Sequence, residues 1–409
     1  MLTLRLAWRN VWRNPRRTGL TVAATVFAVV LVMVFVSMGA GIHEQMIEDA
    51  VRLSSGHVSV SGEGYLENRT LEQFVRFDAE LARSLDATPG VAGWAPRVVG
   101  FGLLSNGPDT QGIAVLGVDP EREATVTSLP ARVREGRFLG EAGAREIVLG
   151  RRLADALDAG LGDELLLYSV AYSLEMAYEL FRVVGVMRLP DPALDRGLAL
   201  IHLADAQAFF VYDDRVSEVA ILAQSAEHTG EVAAAVAGVL PGDGVEVHGW
   251  PEIMPELVQF IFLDDAGMYI MLLILVVVVA FGILNTLLMS VLERRREFGV
   301  ALALGLRPRA IFALVYLESM ALAGVGLAIG LAIALPLVLW LVGHPIDLES
   351  EAMRGAYELL GFEPRISWKL EATHPLGSAI TIFGVAVLAA LYPAFKASRA
   401  RPVDALRSV

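Results

Sequence analysis

The chain has 409 residues, 55% of them apolar and only 19% charged, and it has no cysteine. Soluble domains carry nearer ~25% charged residues, so the composition argues against an ordinary soluble enzyme. The missing cysteines exclude disulfides and thiolate metal sites. The net charge of −13 hides a division by segment. Residues 1–17 hold five Arg and no acid, and residues 293–309 hold five Arg against two Glu. The tail, 396–409, holds four basic residues against Asp404, whereas 44–265 holds 16 Arg against 36 acids.

In chain order, Leu2–Arg17 reads as an amphipathic helix lying in the membrane surface. At 100° per residue, Leu4, Ala7, Trp8, Val11 and Trp12 share one face, with Arg5, Arg9, Arg13 and Arg16 beside them. Such a helix sits at the headgroups, as a topology anchor or as an elbow bearing on a cytoplasmic partner. Asn14-Pro15 should break it. Four apolar runs of at least 20 residues follow: Gly19–Ile42, Ala266–Leu292, Ala310–Val342 and Leu376–Phe395. About 20 helical residues cross a ~30 Å hydrocarbon core, which predicts spans over 18–43, 265–292, 310–343 and 374–396. The first run is too long for the apolar core of a cleaved signal peptide. Arg-rich loops stay in the cytoplasm, so both termini and 293–309 belong inside and 44–264 outside.

The outer segment, 44–264, predicts a large α+β domain in two lobes. Strands are expected over His57–Ser61, Val91–Leu104 and Gly112–Val118, with Asn106-Gly107 as a turn signal. Leu71–Leu85 has helical spacing. Further on come a strand (Glu218–Leu222), a helix (Glu227–Leu240) and a strand (Val245–His248). Residues ~121–215 read as an inserted lobe with strands Glu146–Leu149, Glu164–Ser169, Phe181–Met187 and Leu198–His202.

The loop 293–309 opens with Glu293-Arg-Arg-Arg-Glu-Phe-Gly-Val-Ala-Leu-Ala-Leu-Gly305. Phe298, Leu302 and Leu306 make an apolar strip that needs headgroups or a protein groove to cover it. Elsewhere, Glu318 lies inside the third span, where an ionised acid must pair or face a cavity. Gly324, Gly326 and Gly330 thin one face of that span, and Gly326-x-x-x-Gly330 permits close helix approach; packing within a permease pair is expected there. The seven His show no metal spacing, and no catalytic motif is present. Catalysis, a metal and a nucleic-acid partner are therefore not expected.

The 293–305 stretch resembles the E-R-x-R-E-x-G-x-x-x-A-x-G signature of the MacB/LolC/LolE/FtsX superfamily of ABC-transporter permeases. The tail, Tyr392-Pro-Ala-Phe to Asp404-Ala-Leu-Arg407, resembles its closing motif, and Ala7-Trp-Arg-Asn with Arg16-Arg-Thr18 its opening. Ser55-Gly-His-Val58 and the length look more like the lipoprotein-releasing LolC/LolE branch. The 344–373 loop is longer than that pattern. The chain has no G-x-x-x-x-G-K-[ST], so the resemblance implies that ATP and Mg are handled by a separate cytoplasmic ATPase. It implies coupling positions at Glu293, Glu297, Gly299, Ala301 and Gly305, with Arg294, Arg295 and Arg296 adding charge contacts; positive-inside anchoring alone would explain about half of those arginines. It further implies a second permease, the same chain or a sibling, in a bacterial inner membrane, with membrane lipids and a periplasmic acceptor or adaptor as further partners. The substrate expected is a lipoprotein or another membrane-derived molecule. Met254, Val258, Phe260 and Phe262 are the expected substrate contacts. An FtsX-like scaffold that activates periplasmic hydrolases is the alternative; it usually has a smaller outer domain.

Overall fold

The computed structural model describes residues 15–240, 244–348, 350–360 and 364–399. The surface helix expected before Pro15 and the closing motif beyond Arg399 lie outside them. The chain forms two compact units. One gathers the chain up to His43, Ile261–Asp347 and the chain from Arg365; the other gathers Glu44–Phe260 and Leu348–Pro364.

Among the described residues, four helices are long and apolar enough to cross a membrane. They are Pro15–Leu53, Pro255–Glu293, Pro308–Gly343 and Thr373–Ser398, termed the first to fourth span helices. The first three have 36–39 residues, well beyond the ~20 that a bilayer needs. The first and third approach closely at two glycines. A Cβ on Gly326 would lie 2.6 Å from the Thr25 Cβ, and one on Gly330 would lie 2.8 Å from the Val29 Cβ. Small residues let two backbones meet at van der Waals distance where no hydrophobic force drives helices together. Gly326 and Gly330 make this close approach to the chain's own first span. Gly324 has open space around it. Thr25 keeps its hydroxyl satisfied by donating to the Thr21 carbonyl at 3.1 Å. The third and fourth helices meet along Ala323, Ala386 and Ala390. The second span helix is covered least: its buried residues are Ile283, Leu287 and Val291.

The second unit is built on one ten-stranded sheet. Its strands, with two short ones beside them, are β1 (Val58–Gly62), β2 (Val75–Arg76), β3 (Val91–Asn106), β4 (Asp109–Val118), β5 (Val133–Gly136), β6 (Glu146–Gly150), β7 (Glu164–Val170), β8 (Met176–Met187), β9 (Leu198–His202), β10 (Arg215–Val216), β11 (Glu218–Ala223) and β12 (Val245–Gly249). The order is β12-β1-β11-β3-β4-β9-β6-β8-β5, and β7 pairs with both β3 and β8. Followed from β3 through β4, β9, β6, β8 and β7 back to β3, the pairings close into a six-stranded ring. Alternate side chains of all six strands point into it: Leu104, Ile113, Val115, Ala199, Ile201, Ile147, Leu149, Phe181, Val183, Leu165 and Leu167. That ring is the core of the inserted lobe. The other lobe packs helices Ala79–Ala87 and Thr229–Ala237 on β1 and β11, burying Leu81, Leu85, Val232 and Val236 against Val58, Val60, Val219 and Ile221. Both lobes share β3, whose 16 residues run from one core into the other.

The helix expected over Leu71–Leu85 is confined to Ala79–Ala87. Asp78 caps it, its carboxylate accepting from the Glu80 and Leu81 amides at 2.9 and 2.8 Å. Before that cap the chain is extended: Val75 sits in β2, while Leu71 and Phe74 pack on the ring core. Their helical spacing reflects two separate cores, not one helix face.

Where the lobes meet, Arg97 is buried between Glu123 and Glu218. Its Nη2 donates to Glu123 at 2.6 Å, and Thr127 donates to the same carboxylate at 2.6 Å. Burial alone would lower the Arg97 pKa, but Glu123 and then Glu218 outweigh it and hold the guanidinium above its ordinary value. Removing one member of such a pair strands the other charge, at a cost of about 3–5 kcal/mol. Glu123→Ala is therefore expected to destabilise the second unit by about that amount, measured by chemical unfolding of the full chain in detergent; a loss under about 1 kcal/mol would contradict this reading of the pair.

Candidate functional site

The second span helix ends at Glu293, and a separate helix, Arg295–Ala303, follows it at once. Arg294, with φ −96° and ψ 10°, is the break between them. The short helix closes on Gly305, whose φ of +93° only glycine adopts without strain. The Gly305 amide donates to the Leu302 carbonyl and the Leu306 amide to the Ala301 carbonyl, both at 3.0 Å, the double bond of a Schellman end. Pro308 then opens the third span helix, where its missing N–H costs nothing.

Phe298 and Leu302 of the apolar strip are covered by the chain itself, whereas Leu306 is not. Phe298 is buried among Val291, Ile311, Val315, Ala394 and Ala397, with Ala301 and Leu302 beside it. Gly299 is buried too. Left exposed on this turn are Leu304 at 84%, with Val300 and Leu306, and the charged Glu293, Arg295, Arg296 and Glu297. The three arginines thus divide. Arg295 and Arg296 face outward, where anchoring beside headgroups suffices to explain them. Arg294 turns inward. Its Nη1 donates to both Glu318 oxygens at 3.0 and 2.8 Å, its Nε donates to Glu297 at 3.1 Å, and its guanidinium lies 5.1 Å from the Phe298 ring centre. Glu318, expected to be a costly charge inside a span, is buried and ion-paired. One partner, Arg294, comes from 24 residues earlier and shows no local sequence signal.

The four expected substrate contacts are not brought together as a set. Met254 ends the short helix Trp250–Ile253 and receives a contact from the Ser54 hydroxyl at 3.4 Å. Val258, Phe260 and Phe262 are exposed on the first turns of the second span helix. At 100° per residue, Val258 and Phe262 share a face and Phe260 points away from it.

A second surface was not read from the sequence. β7 and β8 stay paired out to Val170 and Met176, whereas β3 follows β7 only as far as Tyr168. The tip of this hairpin therefore stands outside the ring. It exposes Leu174 at 82% and, beside it, Val170, Met176, Tyr178 and Leu180, with Phe101 and Leu103 on the neighbouring strand. A cavity of ≈ 420 Å³ lies at its base, lined by Arg69, Leu71, Phe101, Tyr168 and Met176 among others. The available signal was the apolar row Met176, Tyr178 and Leu180 on alternate positions, opposite the face that carries Glu179 and the buried Phe181. Among the described residues no group of three or more His, Asp or Glu could hold a metal ion.

Comparison with known proteins fits this architecture. A family model described as a MacB-like periplasmic core domain matches residues 18–239. A second, described as an FtsX-like permease C-terminal region, matches residues 269–402. A lipoprotein-releasing system transmembrane protein LolC from Neisseria meningitidis is 24% identical over 84% of this chain and 83% of its own length. LolE of the same system from Haemophilus influenzae is 25% identical over 80% of each chain. The crystal structure of the periplasmic region of MacB from Actinobacillus actinomycetemcomitans covers 50% of this chain and 92% of its own, at 12% identity and a TM-score of 0.36, too loose a superposition to add to the assignment. With both family models in the right order along its length, the chain belongs to the MacB-like, FtsX-like superfamily of ABC-transporter permeases, and its relatives include LolC and LolE.

Proposed function

We propose that this chain is the permease subunit of a lipoprotein-releasing type of ABC transporter. A separate ATPase binds the outward face of helix Arg295–Ala303, and ATP hydrolysis there drives extraction or export of a lipidated substrate at the periplasmic face. The observation that carries the reading is the division of that helix: Phe298 and Leu302 are held by the chain's own spans, while Val300, Leu304 and a row of charges remain for another protein. The similarity to LolC and LolE supports a lipidated protein as the substrate class. Mg and ATP bind to the ATPase, since the chain carries no phosphate-binding glycine loop.

The Arg-rich turn and both termini lie on the cytoplasmic side of a bacterial inner membrane. A second permease, a copy or a sibling, covers part of the exposed second span, and lipids cover the rest. The apolar hairpin at Leu174 fits a periplasmic acceptor protein, because neighbouring exposed apolar side chains mark an interaction surface.

Two measurements test this. With the ATPase added to the purified permease in lipid nanodiscs, Val300→Asp with Leu304→Asp is expected to weaken its binding at least about tenfold, or 1.4 kcal/mol, while leaving the thermal transition of the chain unchanged. Unaltered ATPase affinity would overturn the assignment of this face. In the same system, Leu174→Glu with Tyr178→Glu is expected to lower transfer of an acylated protein to its acceptor by about tenfold, with ATP hydrolysis unchanged. A wild-type complex that hydrolyses ATP yet releases no acylated protein would move the reading to a signalling scaffold.

A further inference from the structure

The Arg294 side chain ties the short helix of the cytoplasmic turn to the third span helix. It sits between the second span helix and helix Arg295–Ala303. Its Nε is bonded to Glu297 on the short helix, its face lies over Phe298, and its Nη1 holds both oxygens of Glu318 on the third span helix. The shell around this contact is mostly apolar: Leu287, Val291, Val315 and Leu322 line it, with Ser290 and Ser319. The void left there is ≈ 10 Å³, room for no more than one water. The Glu318 side chain is only 6% exposed, so its carboxylate depends on charged and polar neighbours, Arg294 among them. The other end of the short helix is different. It finishes on Gly305 and the exposed Leu304, with no side-chain tie of this kind among the described residues.

We propose that Arg294 is a positioning residue that locks helix Arg295–Ala303 to the second and third spans through Glu318, so that a push on the helix moves both spans as one body. Buried ion pairs contribute little net stability compared with apolar packing, and their best-attested use is to fix one geometry among several. Here the geometry fixed is the angle at which the short helix leaves the membrane. Phe298 supplies adhesion; the ion pair supplies register. Arg294 thereby differs in role from Arg295 and Arg296, which reach no acid of the spans in the described residues.

This inference rests on the reading of helix Arg295–Ala303 as the ATPase contact, and the test separates the two. The full chain is reconstituted with its ATPase in lipid nanodiscs, and ATP hydrolysis and release of an acylated protein are measured together. Glu318→Gln is expected to bind the ATPase as the wild type does, but to hydrolyse at least about ten times more ATP per protein released. Arg294→Lys, which keeps the charge and loses the fork, is expected to raise the same ratio. Reversing the pair, Arg294→Glu with Glu318→Arg, should bring it back toward wild type. Because the chain has no native cysteine, spin labels at Ala303→Cys and Ile329→Cys report the helix angle directly in the permease alone. One narrow distance is expected in the wild type and a broad distribution in Glu318→Gln. A wild-type ratio together with a narrow distance in Glu318→Gln would overturn the lock. Loss of ATPase binding in Glu318→Gln would also overturn it, by showing a docking or folding role instead. If the wild-type chain binds no ATPase, the transporter reading fails, and the coupling role of Arg294 fails with it.

Discussion

A carboxylate placed inside an apolar helix is the constraint around which the turn between the second and third spans is organised. Glu318 is buried, and in hydrocarbon it needs a cation or a cavity. Arg294 answers it from the end of the second span, and several features follow from that one pairing. The second span helix must end at Glu293 for Arg294 to turn inward, so the next helix starts in a new direction. That direction brings Phe298 onto Val291, Ile311 and Val315 and leaves Val300 and Leu304 on the outside. The outward face is thus a by-product of satisfying an inward charge.

The second unit solves a different problem, that of burying two lobes on one sheet without a disulfide. A 16-residue strand, β3, contributes to both cores, so neither lobe has to end in an open edge at their junction. The ring closes because β7 returns to β3, and closure removes the exposed edges that an open sheet would offer to other chains. The hairpin tip beyond that closure is then the exception that asks for an explanation. Leu174 and Tyr178 gain nothing from the ring and stand in water. A partner surface accounts for them, and a fold argument does not.

The parts legible in the sequence are those set by local period or by gross composition. Four spans follow from apolar runs longer than the bilayer is thick, and the short helix follows from its own spacing of Phe298 and Leu302. Strands β1, β3, β4, β11 and β12 were readable from alternation between turn signals. Contacts across long sequence separation were not. The Arg294 and Glu318 pair joins two helices around a turn, and no pattern in either helix names its partner. The same holds for Gly326 and Gly330, whose small size was visible while the helix they admit, the first span, was not. Leu71, Phe74 and Leu81 mimicked one helix because two cores recruited them at a helical interval. The hairpin tip escaped because an apolar row such as Met176, Tyr178 and Leu180 reads as the buried face of a strand, although it is exposed.

What the chain binds decides between transport and signalling. Purification from its native membrane in mild detergent, followed by identification of everything retained by mass spectrometry, tests this most directly. The account predicts a small cytoplasmic ATPase, a second permease and a protein acylated at its N-terminus. An intact chain retaining no ATPase, or an ATPase together with a cell-wall hydrolase and no lipidated cargo, would contradict it.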